Sequence, residues 1–422
     1  MKTKFVFFIQ PSKAINYGIG TYMDNIISCF HDSKFDFEIV ELLSQSIEVK
    51  AIFLDGYRKI LIPNLGNFHI DRYRNYYSRN IAFLLKSFFS DKDTFYIFHL
   101  NYMDNEFLAI WLKKIFKCKV ILTTHYTEWS FILFGDYKKL HDIVKKSDKE
   151  SNFIVKKILT HIDKEKKLSE ACDHLICPAH HTSIYLREIL SVDQSKISII
   201  PHGLSDQYSL ENRKNKKGIR QEYYLDSKTK IILFAGRLDE IKGTIFLINA
   251  FKKILETNKN THLFIAGDGD FHKLITASQD ICTKVTFTGK LDKQQLYKLY
   301  NIADIGVICS IHEEFGYVAL EMMMHAIPLI ITDTSGLTEI VEDNVSGIKT
   351  SIIIKDDKKV VDLDVLSEKI NILLNNPALK RKLGQNGRKR FLEKYQFPVF
   401  SKTMLDFYNN FTNFNDKNIS PQ

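Results

Sequence analysis

The stretch S-I-H-E-E-F-G-Y-V-A-L-E-M-M-M-H-A-I-P-L-I-I-T-D-T-S-G-L-T-E-I-V-E-D-N-V-S-G, residues 310–347, decides how the rest of the chain is interpreted. From Phe315 onward its apolar residues have helical spacing, and Pro328 followed by L-I-I-T indicates a helix end and then a buried strand. The turn D-T-S-G predicts a second helix over Leu337–Val341. Two helix N-termini are therefore expected beside one crevice, where their unpaired N–H groups suit a phosphate.

Two carboxylates accompany these predicted helices. Glu313 and Glu321 flank the start of the first helix, and a carboxylate one or two turns into such a helix can accept hydrogen bonds from a ribose. Phosphate-binding N–H groups together with a ribose-binding carboxylate predict a nucleotide site.

Length and composition bound the remaining possibilities. The chain has 422 residues, 45% of them hydrophobic, which fits two or three soluble globular domains. No apolar run approaches the ~18 residues of a membrane helix, and the opening F-V-F-F-I fits a buried strand better than a signal peptide. The six cysteines have neither metal-ligand nor paired spacing, which favours the reducing cytoplasm.

The net charge of +9 is spread over both halves of the chain and accompanies no nucleic-acid motif. Tyr137–Leu168 is a basic amphipathic stretch in which lysine pairs alternate with apolar residues. We favour a solvated helix face for it over a membrane or acceptor surface. A peripheral contact with the inner membrane surface stays open.

Short apolar runs alternate with helical patterns along the first half, which predicts βα units of a parallel sheet. Gly18 and Gly20 lie in the loop after the first strand, just before a helix. A glycine pair at such a turn is a weak signal, because backbone freedom alone explains many of them. The expected strands cover residues 4–10, 59–62, 94–101, 119–129 and the runs A-C-D-H-L-I-C-P-A and K-I-S-I-I-P-H-G-L, with helices around 80–89 and 105–116.

Parallel strands present functional residues at their carboxyl ends, and two histidines lie toward the carboxyl ends of predicted strands. His99 and His125 are therefore placed where a ligand would lie. For His99 a structural hydrogen-bonding role is equally favoured.

The second half opens with K-I-I-L-F-A-G-R-L-D-E-I-K-G, in which Arg237 and Lys242 share a loop between a buried strand and a helix N-terminus. That location favours an anion. Either cation alone would be interpreted as a solvated loop residue. The G-R-L-x-x-x-K-G pattern as a whole is a specific signal. Ser205–Lys230 is expected to be a linker with a short helix. The chain beyond Gly347 is expected to be helical, with breaks at its prolines.

The runs E-E-F-G-Y-V-A-L-E, P-L-I-I-T-D-T-S-G-L-T-E-I-V and D-N-V-S-G, with G-R-L-x-x-x-K-G upstream, resemble the C-terminal signature of the retaining nucleotide-sugar glycosyltransferases of group 1, which have the GT-B fold. Met322 stands where the family usually has a small residue, and Asn344 where it usually has glycine. Neither departure touches the two glutamates. The resemblance spans nearly the whole chain and is strongest over 231–347.

The resemblance implies an α/β chain with two Rossmann-like domains whose parallel sheets face each other across a cleft. Residues 1–205 would form an acceptor-binding domain and 206–395 a nucleotide-sugar-binding domain. Residues 396–422 would form a helix returning to the first domain, followed by a polar tail.

The resemblance also implies roles for individual residues. T-T-H-Y-T resembles the segment whose histidine lies beside the donor sugar, and the N-terminal glycine loop approaches the donor diphosphate. The residues expected to carry catalysis are His125, Arg237, Lys242 and Glu313. Those expected to bind the donor are Gly18, Gly20, Gly236, Gly289, Lys290, Leu291, Phe315, Gly316, Tyr317 and Glu321.

The implied activity is a retaining, metal-independent hexosyl transfer in polysaccharide biosynthesis, with a cationic loop stabilising the leaving diphosphate. The donor would be a UDP-, GDP- or ADP-sugar, the acceptor a saccharide, lipid-linked or peptide substrate, and no cofactor or metal is expected. Asp91-Lys92-Asp93 has the spacing of a metal-binding DxD but lies in a polar loop of the wrong domain.

Two alternatives stay open. One is a sugar-nucleotide epimerase of the same fold, and the other is a non-catalytic nucleotide-sugar-binding partner. A dinucleotide dehydrogenase is disfavoured because no G-x-G-x-x-G follows a strand. The donor sugar, the acceptor, the linkage and the oligomeric state are not specified by the sequence.

Overall fold

The computed structural model describes residues 2–11, 18–64, 71–146, 152–208 and 216–417, with side chains up to residue 412. Its contacts divide the chain into two compact units, each described separately below. The first unit comprises Met1–Leu133, Tyr137–Gly203 and Pro398–Gln422, and the second comprises Phe134–Asp136 and Leu204–Phe397. The domain boundaries expected from the sequence lie at 205 and 395.

The first unit is built on an eight-stranded sheet with the order β3-β4-β2-β1-β5-β6-β7-β8. All neighbours are parallel except the β3–β4 hairpin. All seven side chains of β5 are buried, as expected for a central parallel strand covered on both faces. The strands are β1 Lys2–Ile9, β2 Asp36–Ser44, β3 Lys50–Leu54, β4 Tyr57–Pro63, β5 Thr94–Leu100, β6 Cys118–Thr123, β7 His174–Cys177 and β8 Ile197–Ile199.

Helices connect most of these strands, in the manner of βα units. Their buried faces pack on the sheet, and α3 for example buries Leu108, Ala109 and Leu112. The helices are α1 Gly18–His31, α2 Asp71–Leu85, α3 Glu106–Ile115, α4 Glu128–Ile132, α5 Tyr137–Lys145, α6 Phe153–Ala171 and α7 His180–Glu188.

The second unit contains a fully parallel six-stranded sheet of order β11-β10-β9-β12-β13-β14 and a separate antiparallel hairpin, β15–β16. Its strands are β9 Lys230–Ala235, β10 Thr261–Ala266, β11 Val285–Gly289, β12 Ile305–Ile308, β13 Leu329–Thr332, β14 Ile348–Thr350, β15 Ile352–Lys355 and β16 Lys358–Val361. Its helices are α8 Lys216–Glu222, α9 Thr244–Thr257, α10 Phe271–Ala277, α11 Lys293–Ile302, α12 Tyr317–Met324, α13 Ser335–Ile340, α14 Leu363–Asn375 and α15 Pro377–Lys394.

The last helix, α16 Phe397–Lys417, packs within the first unit from Pro398 onward. Tyr408 is its anchor. The Tyr408 ring lies edge-on to Phe5 at 4.8 Å between centroids, and its hydroxyl lies 2.7 Å from His99 Nδ1. Apolar residues at helical spacing thus bury the inner face of α16.

Three local expectations are wrong. The segment after Gly347 is not helical throughout, because residues 348–361 form β14, β15 and β16 before α14 begins. Phe315 precedes α12 instead of belonging to it, since Gly316 at φ +117° is the N-cap. Gly18 and Gly20 lie in the first turn of α1 and not in the loop before it, and residues 12–17 of that loop lie outside the described part.

The DxD-like sequence forms a turn. Asp91 accepts from the backbone N–H of Asp93 at 2.9 Å and from the hydroxyl of Thr94 at 2.6 Å. These hydrogen bonds hold the pKa of the Asp91 carboxyl below its usual value. The spacing is therefore explained by local backbone structure.

None of the helices in the described ranges is both long enough and apolar enough to cross a bilayer.

Candidate active site

The loop between β9 and α9 positions Lys242 at the carboxyl end of the second sheet. Glu240–Lys242 form one 3-10 turn, and Gly243 follows it in the left-handed region at φ +66°. A Cβ at Gly243 would stand 2.1 Å from the carbonyl oxygen of Cys309. Only glycine fits so close to the end of β12, and this explains the K-G pair in the sequence.

Lys242 forms an ion pair with Glu313, although 71 residues separate them. Lys242 Nζ donates to Glu313 Oε1 at 2.5 Å, and the hydroxyl of Ser310 donates to the same oxygen at 2.9 Å. A backbone bond from Ile311 N–H to the Ile241 carbonyl, 2.7 Å long, ties the two loops together beside the pair. Both charged side chains are 17% exposed, so the pair is partly shielded from water.

The backbone of Glu313 is also fixed. Its carbonyl accepts from Gly336 N–H at 2.8 Å, and a Cβ at Gly336 would stand 2.6 Å from the carbonyl oxygen of Glu314. The first turn of α13 therefore packs directly on the loop that carries Glu313. The expectation that both helix N-termini offer their N–H groups to a ligand is wrong for Gly336, whose N–H is already bonded.

These groups surround a cavity of about 30 Å³ in the second unit. Four residues expected at the site, Gly236, Lys242, Glu313 and Gly316, meet there. The volume suits roughly one water molecule. The lining residues are Phe234, Ala235, Gly236, Lys242, Ile308, Ser310, Glu313, Gly316, Val318, Ala319 and Leu337.

Arg237 does not belong to this pair. Its guanidinium lies 3.1 Å from Asp239 Oδ2, and both side chains are more than a third exposed. Arg237 thus shares the loop of Lys242 but is oriented toward a carboxylate of that same loop.

Glu321 lies within α12 and is half-buried. Tyr300 OH donates to its Oε2 at 2.8 Å. Burial raises the pKa of the Glu321 carboxyl, while the bond from Tyr300 and the charge of Lys293 oppose the rise. Glu313 and Glu321 therefore occupy different surroundings, one beside a cation and one beside a phenol.

The residues next to Glu313 have mainly structural contacts. Phe315 is buried, with its ring 5.6 Å from that of Tyr317 and 6.2 Å from that of Tyr395. A Cβ at Gly316 would stand 2.8 Å from the Leu337 side chain, so glycine is required there as well.

The predicted base-neighbouring turn follows β11, at the edge of the sheet. Gly289 has φ +70° and no heavy atom lies within 4 Å of a Cβ built on it. Its carbonyl accepts from Gly267 N–H at 2.9 Å. Lys290 is exposed and Leu291 is half-buried, so this turn is open on one side.

In the first unit, His125 follows the carboxyl end of β6. Its Nε2 lies 3.1 Å from Asn101 Oδ1, and Asn101 Nδ2 donates to the Phe8 carbonyl at 3.2 Å. Since Oδ1 can only accept, His125 carries its proton on Nε2. The ring lies edge-on to Tyr22 at 4.6 Å, and burial lowers the pKa of His125 to about 3. This imidazole is neutral.

His99 has a structural role. Its two ring nitrogens lie 2.7 Å from Tyr408 OH and 2.7 Å from Thr123 Oγ1, and it is completely buried. Burial lowers the pKa of His99 to about 3. Of the two readings left open by the sequence, the hydrogen-bonding one fits these contacts.

Gly18 and Gly20 begin the helix that leads to this region. Asn25, further along α1, donates to the Gly203 carbonyl at 2.7 Å and so fixes the helix against the P-H-G loop. The structure places the two glycines at the start of α1.

Sequence reasoning missed three polar partners. Asn101 orients His125, Ser310 holds Glu313, and Tyr300 binds Glu321. Asn101 and Ser310 follow apolar strands at their carboxyl ends, which is the same signal that identified His125. Tyr300 lies in a helix and gave no such signal.

Two family profiles match consecutive parts of the chain. The profile described as Glycosyl transferases group 1 matches residues 215–390, and that of Glycosyltransferase Family 4 matches residues 17–208. The chain belongs to the group 1 glycosyltransferases. A glycosyltransferase of Methanocaldococcus jannaschii is 30% identical over 228 residues, which are 52% of this chain and 55% of that protein. The chain thus spans about half the length of the first curated relatives it matches.

Solved glycosyltransferase structures share the fold over nearly the whole chain. Sucrose-phosphate synthase of Thermosynechococcus elongatus superposes with a TM-score of 0.76 at 19% identity, covering 98% of this chain and all of that one. HepE of Anabaena, solved with UDP and glucose, superposes with a TM-score of 0.70 at 14% identity, covering 96% and 99%. This group 1 glycosyltransferase therefore has the GT-B fold, as the resemblance predicted.

Proposed function

We propose that this glycosyltransferase moves a hexosyl group from a nucleotide diphosphate sugar to a saccharide, lipid-linked or peptide acceptor, with retention of anomeric configuration and without a metal. The observation that carries the proposal is the Lys242–Glu313 pair at the carboxyl end of the second sheet. It puts a cation for a leaving phosphate and a carboxylate for sugar hydroxyls side by side.

Departure of the nucleoside diphosphate requires positive charge where its oxygens become more negative. Lys242 carries three donors and precedes α9, whose N-terminus adds unpaired N–H groups. Thr244, at the first position of α9, is buried and its hydroxyl has no hydrogen-bond partner among the described residues. Lys242, Arg237 and this helix end supply the charge that a metal would otherwise supply.

The two glutamates have different tasks in this proposal. Glu313 contacts the transferring sugar. Its Oε1, which accepts hydrogen bonds from Lys242 and Ser310, lies at the cavity. Glu321 accepts from the ribose of the donor. His125, neutral and protonated on Nε2, offers an uncharged imidazole in the first unit. The bound UDP in HepE of Anabaena supports a nucleotide donor but does not identify the sugar here.

We place the reaction in the cytoplasm. All six cysteines are unpaired, and five of them are partly or fully buried, as in proteins of a reducing compartment.

The test is a donor screen followed by turnover. UDP-, GDP- and ADP-sugars are compared by thermal shift, and the stabilising donor is incubated with saccharide acceptors in the presence of EDTA. Release of the nucleoside diphosphate and an NMR-detected product with the donor's anomeric configuration are expected. Conversion of the donor to an isomer that keeps its nucleotide would indicate an epimerase. Binding without any turnover would indicate a non-catalytic partner, and activity restored only by Mn²⁺ or Mg²⁺ would contradict metal independence.

A further inference from the structure

The outer face of α2 exposes large aromatic side chains. Tyr76 is 64% exposed, Tyr73 54% and Phe83 48%, and Leu84 is exposed beside them. The opposite face is buried in the core of the first unit through Tyr77, Ile81, Ala82 and Leu85. Single exposed apolar residues are ordinary, but several along one face of one helix indicate a surface that contacts something.

Cationic side chains alternate with these rings. The Arg79 guanidinium lies 5.7 Å from the centroid of Phe83 and 5.5 Å from that of Trp111 on α3. Lys114 Nζ lies 4.8 Å from the Trp111 centroid and Lys86 Nζ 6.0 Å from that of Phe83. We call this surface the α2–α3 face; it consists of Tyr73, Tyr76, Arg79, Phe83, Lys86, Trp111 and Lys114.

The acidic groups near this face are already paired. Asp71, at the start of α2, binds Lys164 at 2.8 Å and Arg74 at 3.3 Å. Glu106 of α3 is buried and binds Arg74 at 2.7 Å. The charge presented outward by α2 and the end of α3 is therefore positive.

The basic stretch Tyr137–Leu168 buries most of its apolar residues, unlike the α2–α3 face. Val155, Ile158 and Ile162 of α6 are buried in the first unit, so their helical spacing is explained by packing. Phe153 and Ile154, in the first turn of α6, are exposed. Most of the amphipathic pattern of the stretch thus belongs to the core.

We propose that the α2–α3 face lies on an anionic phospholipid surface. Tyrosine and tryptophan rings are stable at the headgroup level of a bilayer, and arginine and lysine reach its phosphates. Each cation near an anionic leaflet adds attraction, whereas a second copy of this positive face would be repelled. Attachment of the protein through this face does not depend on the proposed reaction.

The chain carries its own probe for this contact. Of its two tryptophans, Trp129 is buried, while Trp111 belongs to the α2–α3 face. The full-length protein is mixed with vesicles of phosphatidylcholine alone or with one-third phosphatidylglycerol, and sedimentation and tryptophan emission are recorded. We expect binding and a blue shift only with the anionic vesicles, both reversed by ~0.5 M salt.

Two double variants test the face itself. Arg79→Gln with Lys114→Gln should weaken vesicle binding by about 20-fold, on the scale of two cations near an anionic surface. At intermediate salt, the Tyr73→Ser with Tyr76→Ser variant should bind the anionic vesicles more weakly than the wild type does. Both variants should keep the wild-type melting temperature, because all four side chains point outward.

Matched controls come from the second unit and from α6. Tyr224→Ser and Lys389→Gln, both exposed, should bind as the wild type does. Lys156→Gln with Lys157→Gln tests the basic stretch. Three results would overturn the proposal. They are equal binding of the wild type to neutral and anionic vesicles, unchanged vesicle binding of the Arg79/Lys114 variant, and a larger loss of binding in the Lys156/Lys157 variant than in the Arg79/Lys114 variant. Equally tight binding to a DNA duplex without a tryptophan shift would replace it with a general polyanion surface.

Discussion

The carboxyl ends of the two parallel sheets carry different chemistry. In the first unit the polar groups at the carboxyl ends of β5 and β6 are neutral, with His99 and His125 both held uncharged by burial. In the second unit the groups after β9 and β12 are charged, with Lys242 paired to Glu313 and Arg237 to Asp239. The same architectural position thus holds uncharged hydrogen-bonding groups in one unit and ion pairs in the other.

Physical chemistry explains why each arrangement is stable. A histidine avoids the cost of a buried charge by losing its proton, whereas a lysine and a glutamate side by side offset each other's charge. Neutral imidazole and amide groups suit hydroxyl-rich substrates, whereas a cation that can change partners suits a phosphate. In the function proposed above, the charged part of the donor therefore binds to the second unit.

The largest expected effect comes from removing the cations. Lys242→Ala and Arg237→Ala should each lower kcat/KM by roughly 100-fold or more, the scale of a lost charge partner in a transition state. Lys252→Ala, which removes a lysine paired with Asp280, should leave the rate unchanged. Near-normal steady-state rates in both loop variants would show that the loop is only solvated.

The second prediction concerns the ion pair as a competitor. A donor phosphate must draw Lys242 away from Glu313, so Glu313→Ala should bind free UDP or GDP as well as the wild type or up to ~5-fold tighter. Its kcat should nevertheless fall sharply, because the sugar loses its carboxylate partner. Calorimetry and steady-state kinetics measure the two quantities separately. A Glu313→Ala protein that loses free-nucleotide affinity would reverse the roles assigned to the glutamates.

The third prediction sharpens the contrast between the glutamates. Glu321→Ala should weaken nucleotide affinity by ~1–3 kcal/mol while largely keeping kcat at saturating donor, because a ribose does not change during the reaction. Tyr300→Phe removes the phenol that binds Glu321 and should weaken affinity less than Glu321→Ala does. A large fall in kcat with normal affinity in Glu321→Ala would exclude the ribose assignment.

Much of the fold could be predicted because parallel strands are buried on both faces and appear as continuous apolar runs. The hairpin β15–β16 could not, since Lys355–Lys359 at its turn lacks the apolar alternation that marks a strand. The start of α1 at Gly18 was also missed, because glycine is a poor helix former and its usual meaning is a loop.

The sequence proposes candidate site residues but not the contacts between them. The sequence indicates that Lys242 and Glu313 matter, yet nothing in it shows that they touch. The contact depends on Gly243, whose missing Cβ allows the loop to approach the Cys309 carbonyl. Close approaches of this kind are set by backbone packing between distant segments, which single-sequence patterns do not record.

The smallest expected effect is on stability, and it tests the neutral histidines of the first unit. His99 has a pKa of about 3 in the folded protein and about 6.5 when unfolded, so between these values the unfolded chain binds more protons. The stabilising contribution is therefore complete above pH ~6.5 and is lost as the pH falls toward 3. Lowering the pH from 7.5 to 5.5 should reduce the melting temperature by roughly 2–4 °C per such histidine. His125→Asn, which keeps a hydrogen-bonding side chain without the titrating ring, should show a smaller fall, and the exposed control His272→Gln should behave as the wild type does. If the melting temperature of the wild type were the same at both pH values, the imidazoles would not be held neutral, and the contrast between the two sheets would lose its electrostatic basis.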